Sequence, residues 1–189
     1  MKKKIARLGA LLLALCWLTG PALAAPLEAE PPLELTSPSA MLVEAGTGTV
    51  IFEKNADERR QAASVTKLMT LLICFEELEA GTIHLEDSVT VSQEAAAQIG
   101  SQALLDAGAV YPLGDLLHAT IVASANDAAC ALAEHIAGTE AAFAERMNAR
   151  AAELGLENTY YTNATGLPDG AQYTTARDVA TLSVEMCRH

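Results

Sequence analysis

Basic side chains are scarce in this chain: 12 Lys and Arg stand against 24 Asp and Glu, a formal net charge of -12 over 189 residues. Four of the twelve, Lys2, Lys3, Lys4 and Arg7, precede every acidic residue, so loss of residues 1–24 would leave a net charge of -16. Such a balance argues against nucleic acid as a partner, because phosphate binding rests on clustered Lys and Arg. None of the four cysteines forms a C-x-x-C pair, which removes the usual zinc and redox arrangements. Cys74, Cys130 and Cys187 sit among apolar neighbours and are expected to be buried free thiols. A thiolate nucleophile at Cys130, with His135 nearby, lacks the electropositive setting it would need. Internal repeats and low-complexity tracts are also missing, and the length suits one domain.

Long apolar runs are few. The one that opens the chain, residues 8–18, is short for a bilayer span and is followed by the Gly20-Pro21 break. Preceded by Lys2, Lys3, Lys4 and Arg7 and followed by Ala22-Leu23-Ala24, it is expected to be a signal peptide, 1–24, cleaved after Ala24 or Ala25. The protein is then extracytoplasmic, secreted or associated with the cell envelope. Residues 25–38, rich in Pro and Glu, are expected to be a linker, and 39–189 the folded part.

Residues 40–45 and 49–54 are β-rich runs separated by Gly46-Thr47-Gly48, a hairpin signal. The segment 64–80 carries apolar residues around most of its circumference, which marks a central, buried helix; Gly81 ends it. A brief strand at 88–92, a short helix at 93–98, and helices at 112–123, 127–136, 139–155 and 175–187 follow, with a break at 124–126 and a loop at 163–170. The pattern is α/β (α+β). A lone hairpin makes a poor sheet, so the antiparallel sheet is expected to be incomplete in this chain.

The chemistry concentrates in Ala62-Ala63-Ser64-Val65-Thr66-Lys67-Leu68-Met69-Thr70. On a helix, Ser64 and Lys67 stand about 60° apart around the axis and about 4.5 Å along it, close enough for hydroxyl and amine to meet. Serine needs an adjacent base to attack at neutral pH, and a lysine becomes that base when burial disfavours its charged form. Alone, the pair also fits a capping serine and a surface lysine. Ser124-Ala125-Asn126, at the break between two apolar helices, adds a second hydroxyl and an amide that could face a cleft, although capping explains it as well.

These segments resemble the low-molecular-mass serine-type D-alanyl-D-alanine carboxypeptidases, the penicillin-binding enzymes of peptidase family S11, where S-x-x-K is joined by S-x-N and K-T-G. Met147-Asn148, Gly155-Leu156, Asn163, Gly166-Leu167 and Thr174-Thr175-Ala176-Arg177-Asp178 extend the resemblance in family order. It implies a β-lactamase/DD-peptidase-like transpeptidase fold, with a helical subdomain and the N-terminal hairpin of the sheet. It implies that Ser64 is the acylated nucleophile, Lys67 its base, Ser124 a proton donor to the leaving group, and Asn126 a substrate-binding amide that also orients Lys67. The substrate would be the D-Ala-D-Ala end of a peptidoglycan stem peptide, β-lactams would acylate the same serine, and neither metal nor organic cofactor is implied. No K-T-G or K-S-G occurs in the 189 residues. The expectation is therefore a C-terminally truncated chain whose activity is in question, and any membrane association would need a later region. Two rivals stand beside this reading: a class A β-lactamase-like hydrolase, against which Ser-Ala-Asn and the lack of Glu-x-x-x-Asn near 153–158 count, and a non-catalytic chain, either wall-binding or a folding-incompetent remnant.

Overall fold

Glycines at 46 and 48 turn the chain back on itself in the computed structural model, which describes residues 34–189. β1 (Ala40–Val43) pairs antiparallel with β2 (Val50–Lys54), Ala40 opposite Lys54 and Leu42 opposite Phe52. The tip is held by Glu44, whose carboxylate accepts from the backbone N–H of Gly46 at 3.0 Å and of Thr47 at 2.6 Å. Two units divide the chain, at Thr36/Ser37, and the second, Ser37–His189, is compact. The expected signal peptide at 1–24 and most of the linker at 25–38 lie outside the described residues. Every strand and helix among the described residues belongs to the second unit.

A 3-10 turn (Ala63–Thr66) leads directly into α1 (Lys67–Ala80), which ends at Gly81 in the left-handed conformation, φ 69°. The helix therefore starts three residues later than the sequence suggests, with Ser64 in the tighter turn that precedes it. As anticipated, α1 is the axis of the unit. Cys74 packs in one apolar cluster with Val89, Val91, Leu113, Leu116 and Leu132. Met69, Leu72 and Ile73 pack in a second, with Phe143, Met147, Tyr161 and Leu182.

β3 (Ser88–Thr90) and β4 (Val110–Pro112) form a second antiparallel pair, Val89 opposite Tyr111. Sequence pattern misses β4, since a three-residue strand ending in proline has no visible alternation. Pro112, lacking an N–H, is tolerated at that terminal position. α2 (Gln93–Ala96), α3 (Leu113–Ala123), α4 (Asn126–Ala137), α5 (Glu140–Glu153) and α6 (Ala176–Met186) complete the order. Thr139 and Thr175 cap α5 and α6, their hydroxyls accepting from Ala142 N–H and Asp178 N–H at 3.1 Å, which satisfies donors that helix geometry leaves unpaired. The unit is thus mixed helix and strand, as expected.

Side-chain bonds fasten these elements around α1. Arg146 of α5 pairs with Glu77, and Arg150 bridges Glu76 of α1 at 2.7 Å and Glu185 of α6 at 3.3 Å. Arg177 at the start of α6 grips the hairpin side, reaching Asp57 at 2.6 Å and Glu53 at 2.8 Å. Cys74 and Cys130 are buried and unpaired, but Cys187 is exposed, against expectation, because α6 ends at Met186 and releases the next residue to solvent. No helix among the described residues is long and apolar enough to cross a membrane.

Candidate active site

Backbone geometry departs from the ordinary at residue 63, next to the serine. Ala63 has φ 45°, a left-handed conformation that a side chain adopts only at a cost, and it delivers the chain into the turn bearing Ser64. Residues three apart eclipse one another in a 3-10 turn, so Ser64 and Lys67 lie on one side of it. Ser64 is exposed, while Lys67 is only 3% exposed beneath it.

The amine of Lys67 has three neighbours. Its Nζ lies 2.6 Å from Asn126 Oδ1, 2.8 Å from the Thr165 carbonyl and 3.4 Å from Ser64 Oγ. Burial lowers the Lys67 pKa from its ordinary 10.5 to about 8. A neutral amine has two N–H bonds and one lone pair. With both donors held by Asn126 and Thr165, the lone pair is left for the Ser64 hydroxyl, the arrangement a general base requires.

Asn126 is itself fixed from the other side. It opens α4, its backbone N–H donates to Ser101 O at 2.7 Å, and its Nδ2 donates to Ile99 O at 2.5 Å. The loop carrying those carbonyls is pinned by Asp127, fully buried, whose carboxylate accepts from the N–H of Ala103 at 2.9 Å and of Leu105 at 3.1 Å. One side chain directed at the site is therefore backed by its sequence neighbour.

Thr165 belongs to a loop to which residue pattern assigns no role. Three residues of the segment that follows Ser64 hold it: Lys67 Nζ at Thr165 O, Thr70 Oγ1 donating to Ala164 O at 2.7 Å, and Thr66 Oγ1 accepting from Gln172 Nε2 at 3.2 Å. Asn163 shapes it from within, its Oδ1 accepting from Gly166 N–H at 2.7 Å and Thr165 N–H at 3.2 Å. Gly166 is required twice over, by φ 86° and because a β-carbon there would lie 1.9 Å from the carbonyl oxygen of Ala63. Asn, Gly and Pro at 163–170 signal a loop, but backbone carbonyls leave no trace in residue identity, and so Thr165 O is invisible in the sequence.

Of the four residues singled out from sequence, Ser64, Lys67 and Asn126 meet. Ser124 is half-buried at the end of α3 in a left-handed conformation, φ 53°. No hydrogen bond joins its hydroxyl to the other three among the described residues. Cys130 is no nucleophile: burial first, then the Glu140 and Glu134 charges, push its thiol far above the ordinary range.

Comparison with known proteins bears on this arrangement. The sequence model of a family described as D-alanyl-D-alanine carboxypeptidase matches residues 25–189. The chain is 42% identical over 151 residues to the D-alanyl-D-alanine carboxypeptidase DacF of Bacillus subtilis (strain 168), covering 80% of this chain and 39% of that one. The crystal structure of the carboxypeptidase DacD from Francisella tularensis superposes with a TM-score of 0.79 at 41% identity, covering 82% of this chain and 37% of that one. Penicillin binding protein 5 from Haemophilus influenzae gives 0.81 at 36% identity, with 84% and 47% covered. The chain spans about two fifths of the length of the curated relatives it matches.

Proposed function

The chain belongs to the D-alanyl-D-alanine carboxypeptidase family, and from that premise we propose that it acts as a penicillin-binding serine peptidase, removing the terminal D-alanine from peptidoglycan stem peptides through an acyl-enzyme on Ser64. The carrying observation is the partnering of the buried Lys67 amine, with Asn126 Oδ1 and Thr165 O taking two donors and Ser64 Oγ 3.4 Å away.

In the proposed reaction Ser64 Oγ attacks the penultimate D-Ala carbonyl as its proton moves to Lys67 Nζ. The peptide C–N bond then breaks, with the proton delivered through Ser124 to the departing D-alanine nitrogen. Water, giving up a proton to Lys67, cleaves the ester and restores Ser64. Asn126 keeps Lys67 in register and offers its amide to the substrate backbone. A strained β-lactam amide enters the same first step. The K-T-G that would read the substrate carboxylate is not among these 189 residues, so that role is assigned to none of them. Export behind residues 1–24 would bring the protein to this substrate.

The test uses the full-length gene product. Incubated with benzylpenicillin, it should gain one adduct that peptide mapping puts on Ser64, and Ser64→Ala should lose both the adduct and D-alanine release from a pentapeptide mimic. An adduct elsewhere, or D-alanine release surviving in Ser64→Ala, would overturn the proposal.

A further inference from the structure

Glu140 is the first residue of α5, where an acidic side chain needs no special explanation: the helix N-terminus favours negative charge. Its contacts go further. Glu140 Oε1 accepts the backbone N–H of Ala164 at 3.0 Å, a direct link between α5 and the loop that wraps the nucleophile segment. The carbonyl of the same residue accepts from Thr70 Oγ1 at 2.7 Å, and the next carbonyl, Thr165 O, accepts from Lys67 Nζ at 2.8 Å. Ala164 is fully buried and Thr165 nearly so, so water does not replace a lost acceptor unless the loop itself moves.

From these contacts we infer that Glu140 is a positioning residue for Lys67, setting the height of the 163–167 loop through Ala164 N–H and thereby holding Thr165 O against the amine. The inference rests on the reading of Lys67 as the base. One peptide unit, 164–165, lies between the unit bearing the carboxylate contact and the unit bearing the lysine contact, and its carbonyl is held by Thr70 Oγ1, which limits the φ and ψ rotations that could absorb a displacement. The groups facing Glu140 suit a static strut: Cys130 and Glu134 approach from α4, and Ser92 Oγ donates to Glu134 Oε1 at 3.0 Å, holding that second carboxylate in place. Burial first, then the Glu134 charge, raise the Glu140 pKa, while Ala164 N–H opposes the shift. Backbone donation to this oxygen is thus the larger of the two contacts, with that of Cys130, that favour the charged form of this half-buried carboxylate.

Three variants of the full-length gene product separate an acceptor role from a charge role. Glu140→Gln keeps an oxygen for Ala164 N–H and drops the charge, Glu140→Met drops both at similar volume, and Glu140→Asp keeps the charge but withdraws the oxygen by one methylene. Lys67 is followed by the pH titration of its 13Cε resonance, and acylation by the rate of benzylpenicillin adduct formation. Glu140→Gln should titrate Lys67 as wild type does and acylate within about threefold of it, one neutral acceptor replacing one charged acceptor. Glu140→Met and Glu140→Asp should move the Lys67 midpoint upward, as water reaches an amine that has lost its carbonyl, and slow acylation roughly ten- to a hundredfold. Should Glu140→Met fail to fold, Glu140→Asp carries the comparison. Identical Lys67 titrations and rates in Gln and Asp variants would overturn the inference. A Lys67 midpoint that separates the variants while wild type takes no adduct on Ser64 would uphold the positioning and sink the proposed reaction instead.

Discussion

At residue 67 a single number governs the pH dependence. A lysine at its ordinary pKa is neutral in about one molecule in three thousand at pH 7, whereas one lowered to about 8 is neutral in about a tenth of them. In the proposed reaction only the neutral amine accepts the Ser64 proton, so the acylation rate should climb about tenfold per pH unit below 8 and level off above it, as stopped-time mass spectrometry across pH 6 to 10 would show. The sign for stability is the same. The unfolded chain binds this proton up to pH 10.5 and the native one only to about 8, so this group makes the fold more stable as pH rises through that window. Gly166 offers a test of packing at the same scale. Gly166→Ala must push the loop off Ala63, and it should cost about 1–3 kcal/mol in chemical denaturation and slow acylation by displacing Thr165 O.

Elements deliver these residues by coming to an end at the right place. α3 stops at Ser124 in a left-handed turn, α4 restarts at Asn126, and the gap aims an amide at Lys67. Polar residues between apolar helices make that break visible in the sequence, since caps and turns use short polar side chains. The 3-10 start of α1 is not visible there, because serine, valine and threonine fit either helix type. Asp127 is the element-scale support. Asp127→Ala would take the shared acceptor from the N–H groups of Ala103, which is exposed, and Leu105, which is half-buried, at about 1 kcal/mol. Its signature should be faster hydrogen exchange at those two amides before any global loss of structure. Asp178 plays the matching part at α6, accepting from Asn158 N–H at 2.9 Å and Thr159 Oγ1 at 2.7 Å. The Thr-Thr-Ala-Arg-Asp segment around it is accordingly a fastening and not a further piece of the site.

Across the whole molecule, solvent access should track the layering around α1. A thiol reagent should modify Cys187 in the native protein and reach Cys74 and Cys130 only in denaturant, mapped by peptide mass. Burial raises the Cys74 thiol to about 12, so little thiolate forms there at neutral pH. Rapid native labelling of Cys74 or Cys130 would contradict the packing of the first apolar cluster, to which both belong.

Local sequence determined the hairpin, the buried helix, its stop at Gly81 and the pairing of Ser64 with Lys67, because each depends on residues within one turn or one hairpin of each other. Tertiary structure alone decided that Asn126, 59 positions from Lys67, and the carbonyl of Thr165, 98 positions away, close on the amine. It also decided that β3 finds β4, that Cys187 is exposed, and that Gly166 lies under Ala63. Those outcomes depend on how buried faces stack and on backbone atoms common to every residue, and neither is written in the identity of any one side chain.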